Sequence, residues 1–336
     1  MVEGLRDLGV AVTVAWFEGT PLADVPVHDL GSLRPSQDRR YVQAIPELAR
    51  VMRRVRPRVV HGVFVSSYGF MAAAAHRLAF GSRAVVPLIE TALGTDLLVR
   101  TRRSRRRAAL ARFTLGRAAV VTGNSDALRQ EAERLAPATT WHRFVWGPPR
   151  ALLAADRNPA PIVLSNRRLE PAMRVERVVR AFTAAGHAFP DALEGWRLIV
   201  TNEGSSAPDV RRAAAGDPGV ELVGTIDHAE LHRLLLRSRV LVSIPESDST
   251  SAALMDGLAA GALPVVGALP APLEWVDEEV AEIVPADPTV EELAAGIARA
   301  ATRDVRADIV RARVAGIVWE DELARLAALY RRLAAD

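Results

Sequence analysis

Residues 243–266 read S-I-P-E-S-D-S-T-S-A-A-L-M-D-G-L-A-A-G-A-L-P-V-V. The order is a strand end, a small polar loop, a helix, a glycine stop at Gly261 and a second strand. Residues 247–251 therefore fall at the carboxyl end of one strand and the amino end of a helix. Ligands of doubly wound sheets bind there, and free N–H groups with the positive end of the helix dipole favour a phosphate. Asp248 lies in the loop and Asp256 about two turns into the helix, so both carboxylates can face one ligand lying along the helix start. An Asp helix cap at 248 and a solvent-facing Asp at 256 would write the same pattern.

Working outward, short β-rich runs alternate with amphipathic helices along the whole chain. Strands are expected at 10–16, 59–65, 84–89 and 118–122, then at 162–165, 197–201, 220–223, 240–244, 263–266 and 282–284. Helices are expected at 41–56, 175–185, 229–237 and 250–260, from apolar residues at three- and four-residue spacing. This alternation predicts an α/β fold of parallel sheets covered on both faces. With 336 residues, and roughly 100–200 per domain, two doubly wound domains are expected. The proline- and glycine-dense stretch 146–161 reads as the boundary. The expected domains are residues 1–150, joined by a final helix at 318–336, and residues 151–317. The chain opens on a helical pattern, so the usual first strand and glycine turn are expected to be absent from the first domain.

Composition narrows the chemistry. Hydrophobic residues at 49% and charged residues at 25% exclude disorder and fibrous classes. There is no cysteine and no lysine, which removes thiolate and Schiff-base chemistry. No apolar run approaches the ~20 residues of a spanning helix, and the first ten residues lack a signal-peptide pattern, so a cytoplasmic location is expected. The net charge of +3 hides two unlike halves: residues 1–150 hold 23 Arg against 12 Asp and Glu, and the remainder 20 against 28.

A second informative stretch, residues 165–176, reads S-N-R-R-L-E-P-A-M-R-V-E. It follows the first strand of the second half and sets Arg168 and Arg174 six apart across a turn containing Pro171. Together, these stretches resemble the nucleotide-sugar site of retaining glycosyltransferases of the GT-B type, family 4. Further similarity lies in V-E-L-V-G-T-I at 220–226, which resembles a nucleobase-pocket strand and loop, and in residues 318–329, which resemble the family's terminal helix. In the first half, His61 and the L-G-T-D-L run at 93–97 resemble a strand histidine and an H-G-x-D turn.

The resemblance implies two Rossmann-like domains facing across a cleft. It implies that Asp248 contacts the donor sugar and Asp256 the ribose, with Arg168 and Arg174 clamping the diphosphate. Thr250, Ser251 and Ala252, with Gly224, Thr225 and Ile226, would line the nucleotide-sugar site, and His61 and Asp96 the acceptor side. It implies a UDP- or GDP-type sugar as donor substrate, no further cofactor and no metal. The acceptor would be a saccharide, a natural product or a lipid-linked molecule. Departures stand beside these matches. Both acids are Asp where the family has Glu, Arg174 stands for a Lys, and Leu93 replaces the turn histidine. These motivate a second reading, a catalytically weakened GT-B-like nucleotide-binding or partner subunit. A nucleotide-sugar epimerase is a third.

Residues 100–117 carry eight Arg. A basic, partly amphipathic helix of this kind fits a solvated face, or a peripheral contact with the inner membrane face. No nucleic-acid signature accompanies it, so no nucleic acid is expected. The H-A-E-L-H run at 228–232 lacks the H-E-x-x-H order of a zinc helix and reads as a surface helix start.

Overall fold

The computed structural model describes residues 1–31, 38–82 and 85–335. The chain divides into two compact units, Met1–Val145 with Glu320–Asp336, and Trp146–Trp319.

In the first unit, strands β1 (Val14–Trp16) and β2 (Val27–Asp29) pair in parallel. Four more parallel strands form a separate sheet in the order β3 (Val60–Val63), β4 (Leu88–Thr91), β5 (Val120–Gly123) and β6 (Trp141–Arg143). The short helix Val2–Asp7 opens the chain, and Gly9, at φ 78°, turns it back so that the Val10 N–H bonds the Leu5 carbonyl at 3.0 Å. That closure moves the start of β1 from the expected residue 10 to Val14. The strand expected at 84–89 begins outside the described residues, at Ala84, and is displaced: β4 starts at Leu88, after Pro87, which has no N–H for a ladder. The core of this unit gathers Leu48 and Met52 of helix Asp38–Val55, Met71 and Ala75 of helix Tyr68–Phe80, and Leu88. The last helix, Trp319–Ala335, belongs to this unit from Glu320 onward. Its buried Glu322 accepts the Val145 N–H at 2.8 Å. The expected helix end at Asp336 lies outside the described residues.

The second unit holds one six-stranded parallel sheet. Its strands are β7 (Ala160–Ser165), β8 (Arg197–Thr201), β9 (Val220–Gly224), β10 (Ser238–Ser243), β11 (Leu263–Gly267) and β12 (Glu282–Val284). The spatial order is β12-β11-β10-β7-β8-β9. From β7 the chain runs outward through β8 to β9, then returns to place β10 on the other side of β7. The switch point therefore lies between β7 and β10. Helix Val175–Ala188 buries Val175, Val178, Val179, Phe182 and Ala185 against one face of this sheet, the spacing of a single helical stripe. Each large apolar side chain so buried contributes about 1.5–3 kcal/mol. The stretch expected as a linker is packed. Trp146 stacks on Trp319, with ring centroids 5.6 Å apart, and a Cβ on Gly147 would stand 2.3 Å from the Ile317 carbonyl.

Candidate functional site

Two loops leave the carboxyl ends of β7 and β10, the strands that flank the switch point. A main-chain bond from the Glu246 N–H to the Ala172 carbonyl, 2.7 Å, joins them. Across that junction the Arg167 guanidinium meets the Asp248 carboxylate at 3.1 Å. Both side chains are nearly buried, with 10% and 12% of their surface exposed. The other Arg167 nitrogen, Nη2, lies 3.1 Å from the Met173 sulfur. Burial raises Asp248 above the ordinary carboxylate range, opposed by Arg167, the Ser251 hydroxyl and the Ser249 N–H. Ser251 also caps the helix Ala252–Ala259, accepting from the Leu254 N–H at 3.2 Å. This eight-residue helix thus starts with its free N–H groups beside an Arg–Asp pair. A polyanion fits that chemistry.

Asp256 lies on the same helix, and its carboxylate has no ion-pair or hydrogen-bond partner among the described residues. Burial pushes it up to about 7. At the end of β7, the Ser165 hydroxyl and the Asn166 Oδ1 are also buried without partners. Unsatisfied polar groups at a switch point are what a bound ligand would satisfy.

Arg168 and Arg174 are not brought together on Asp248. Arg168 is 77% exposed, and its nearest acid is Glu170 at 4.0 Å. Arg174 sits at φ 55° at the start of helix Val175–Ala188. It bonds the Ala286 carbonyl at 2.9 Å and Asp287 at 3.2 Å. The cation that reaches Asp248 is Arg167, which sequence reasoning passed over. The two Arg follow the end of β7 at Ser165, where the chain bends, and composition does not say which of them faces inward.

Thr250 is buried, and its Oγ1 accepts from the Trp275 Nε1–H at 2.8 Å. Ala252 is exposed at the first helical turn. Gly224, at φ 70°, ends β9, and its carbonyl accepts the Asn202 N–H at 2.6 Å. Thr225 and Ile226 follow it, and β7 and β8 lie between their strand and β10.

In the first unit, His61 is locked into structure. Its Nε2 bonds Thr91 Oγ1 at 2.6 Å and its Nδ1 bonds the Tyr330 hydroxyl. Burial holds its pKa down to about 4, so the ring is neutral. Asp96 is buried and accepts from the Ser66 N–H at 3.1 Å and from the Ser66 hydroxyl. Of the basic run 100–117, Arg102 pairs with buried Glu131 at 3.1 Å, and Arg107 bonds the Ser66 carbonyl at 3.4 Å. Arg117 bonds His76 and the Ser82 carbonyl. Arg105, Arg106 and Arg112 are exposed. Among the described residues no helix is long and apolar enough to cross a membrane, and no group of three or more acidic or histidine side chains could hold a metal.

Known proteins bear on this arrangement. Residues 1–146 match the model of "Glycosyltransferase Family 4" and residues 160–303 that of "Glycosyl transferases group 1". No curated protein matches the chain in sequence. Among solved structures, sucrose-phosphate synthase from Thermosynechococcus elongatus is similar with a TM-score of 0.78 and 17% identity, over 99% of this chain and 91% of that one. HepE from Anabaena, in complex with UDP, has a TM-score of 0.69 and 13% identity, over 96% and 100% of the two chains. A glycosyltransferase from Rickettsia africae has a TM-score of 0.72 and 12% identity, over 98% and 94%.

Proposed function

This chain belongs to the GT-B glycosyltransferases of family 4, and on that premise we propose that it transfers a sugar from a nucleoside-diphosphate donor to an acceptor hydroxyl with retention at the anomeric carbon. The Arg167–Asp248 contact beside the amino end of helix Ala252–Ala259 carries this reading.

The donor pyrophosphate lies against that helix start. Arg167 neutralises charge that builds on the departing diphosphate, a use of preorganised cations that lowers the barrier. Arg168, at the same loop, supplies a second cation from the solvent side, and Arg174 holds the loop through Ala286 and Asp287. Because guanidinium groups meet the phosphate charge, no metal ion is assigned to the step. Asp248 accepts hydroxyls of the transferred sugar, and Asp256 those of the ribose. Residues 224–226 border the base. The anomeric C–O bond to phosphate breaks, and the acceptor oxygen bonds the same face of the sugar. The acceptor proton passes to the departing phosphate oxygen, so the protein supplies no separate base. Acceptor recognition is assigned to the first unit, and the exposed Arg105, Arg106 and Arg112 to anionic headgroups, which co-sedimentation with anionic vesicles tests.

HepE, similar in fold, has been solved in complex with UDP, which makes UDP-sugars the first donors to try and GDP-sugars the second. Turnover of a donor panel, with the anomer of the product read by NMR, tests the reading. An inverted product removes retention. Nucleotide binding with no turnover on any donor moves the chain to the binding-subunit reading, and epimerised donor to the epimerase.

A further inference from the structure

Strand β3 alternates, with Val60 and Gly62 buried and His61 and Val63 half-buried. Continued as a strand, residue 64 would follow Val60 and Gly62 inward. Instead Phe64 sits at φ 67° with 42% of its surface exposed, while the next residue, Val65, is fully buried. A left-handed backbone is unfavourable for a bulky aromatic, and the exposed ring forfeits burial. Stability explains neither choice.

The turn is nonetheless held from many sides. The Phe64 N–H bonds the Thr91 carbonyl at 3.1 Å, and the Phe64 carbonyl accepts from the Ser67 N–H at 3.0 Å and the Gly69 N–H at 2.9 Å. Asp96 takes both the N–H and the hydroxyl of Ser66, whose carbonyl accepts from Arg107 at 3.4 Å. A Cβ on Gly69 would lie 3.0 Å from the Phe64 carbonyl and 2.3 Å from Glu90 Oε2, so only glycine admits this closure. Strain maintained by such surroundings belongs to sites of function. The turn lies at the carboxyl end of a parallel strand, the end at which such sheets take ligands.

We propose that Phe64 is a preorganised stacking platform for a saccharide acceptor. This rests on the glycosyltransferase reading. A single aromatic face, half-exposed on a turn fixed by these bonds, suits a pyranose, which offers one face of C–H groups to it. An acyl chain would need a wider apolar surface. Asp96 then acts as a positioning residue for the turn.

The test uses the full chain with Phe64→Asn and Phe64→Tyr, since Asn tolerates the left-handed region. Binding of a panel of methyl hexosides is read by saturation-transfer NMR, and UDP and GDP binding by calorimetry. Wild type and Phe64→Tyr are expected to bind at least one methyl hexoside. Phe64→Asn should weaken that binding about tenfold or more, with nucleotide affinity unchanged and Tm unchanged or raised. No hexoside binding in wild type, equal binding in Phe64→Asn, or a Tm lowered by several degrees overturns the proposal. So does a loss of anionic-vesicle binding in Phe64→Asn with hexoside binding intact. Absence of nucleotide binding in wild type, with the hexoside result as expected, would fault the donor reading alone.

Discussion

Arg167 and Asp248 meet at 3.1 Å from loops that follow β7 and β10, strands adjacent in the sheet but separated in sequence by β8 and β9. The crossing of the chain back over β7 is what makes this contact, and both groups are almost withdrawn from water.

Removing one member of this pair leaves the other buried and unpaired. Asp248→Ala is expected to cost about 3 kcal/mol of stability and to lower transfer by roughly a hundredfold or more. Denaturant unfolding and donor turnover check the two effects. A variant as stable as wild type would mean that the pair opens freely to solvent.

Burial places the Asp256 pKa at about 7, above its unfolded value near 3.8. The folded state therefore holds a proton that the unfolded state has lost between those values, so this group makes stability fall as pH rises across that window. Asp256→Asn should abolish this part of the pH dependence and be the more stable chain above about pH 7. If Asp256 grips ribose hydroxyls as a carboxylate, nucleotide affinity should rise through the same pH range in wild type and stay level in Asp256→Asn.

Glu90 is buried in β4 with neither oxygen partnered among the described residues, and burial, with Asp96 nearby, raises its pKa well above the usual carboxylate range. The neutral acid is the form this site tolerates, so its contribution to stability is lost as pH rises. Glu90→Gln should match wild type near about pH 5 and exceed it in Tm near about pH 9. A lower Tm at both pH values would show that the carboxyl has an unseen partner.

Tyr330 of the last helix meets His61 of β3, and His61 in turn meets Thr91. Tyr330→Phe leaves a buried ring nitrogen unsatisfied and is expected to cost about 1–3 kcal/mol, read by denaturant unfolding. Nucleotide affinity should not change, because both groups belong to the first unit and the proposed donor contacts to the loops after β7 and β10.

The strands that were legible in sequence are those with runs of branched apolar residues closed by turn residues. β8 and β12 start and stop where residues 197–201 and 282–284 predict. β2 and β6 read V-H-D and W-H-R and carry no run of branched apolar residues to be seen. Asp248 and Asp256 were legible because a helix start and a glycine stop frame them. The Arg that joins Asp248 was not, since Arg167 and Arg168 are the same residue type and differ only in which way the chain turns after Ser165. Phe64 was invisible for a related reason: no pattern of residue types announces a left-handed aromatic.

Calorimetric titration of UDP and GDP into wild type, Arg167→Ala and Arg168→Ala tests the central claim most directly. One nucleotide should bind wild type, bind Arg168→Ala with a few-fold loss, and fail to bind Arg167→Ala, each chain being folded by circular dichroism. Undiminished binding by folded Arg167→Ala, or no binding by wild type, would contradict the site.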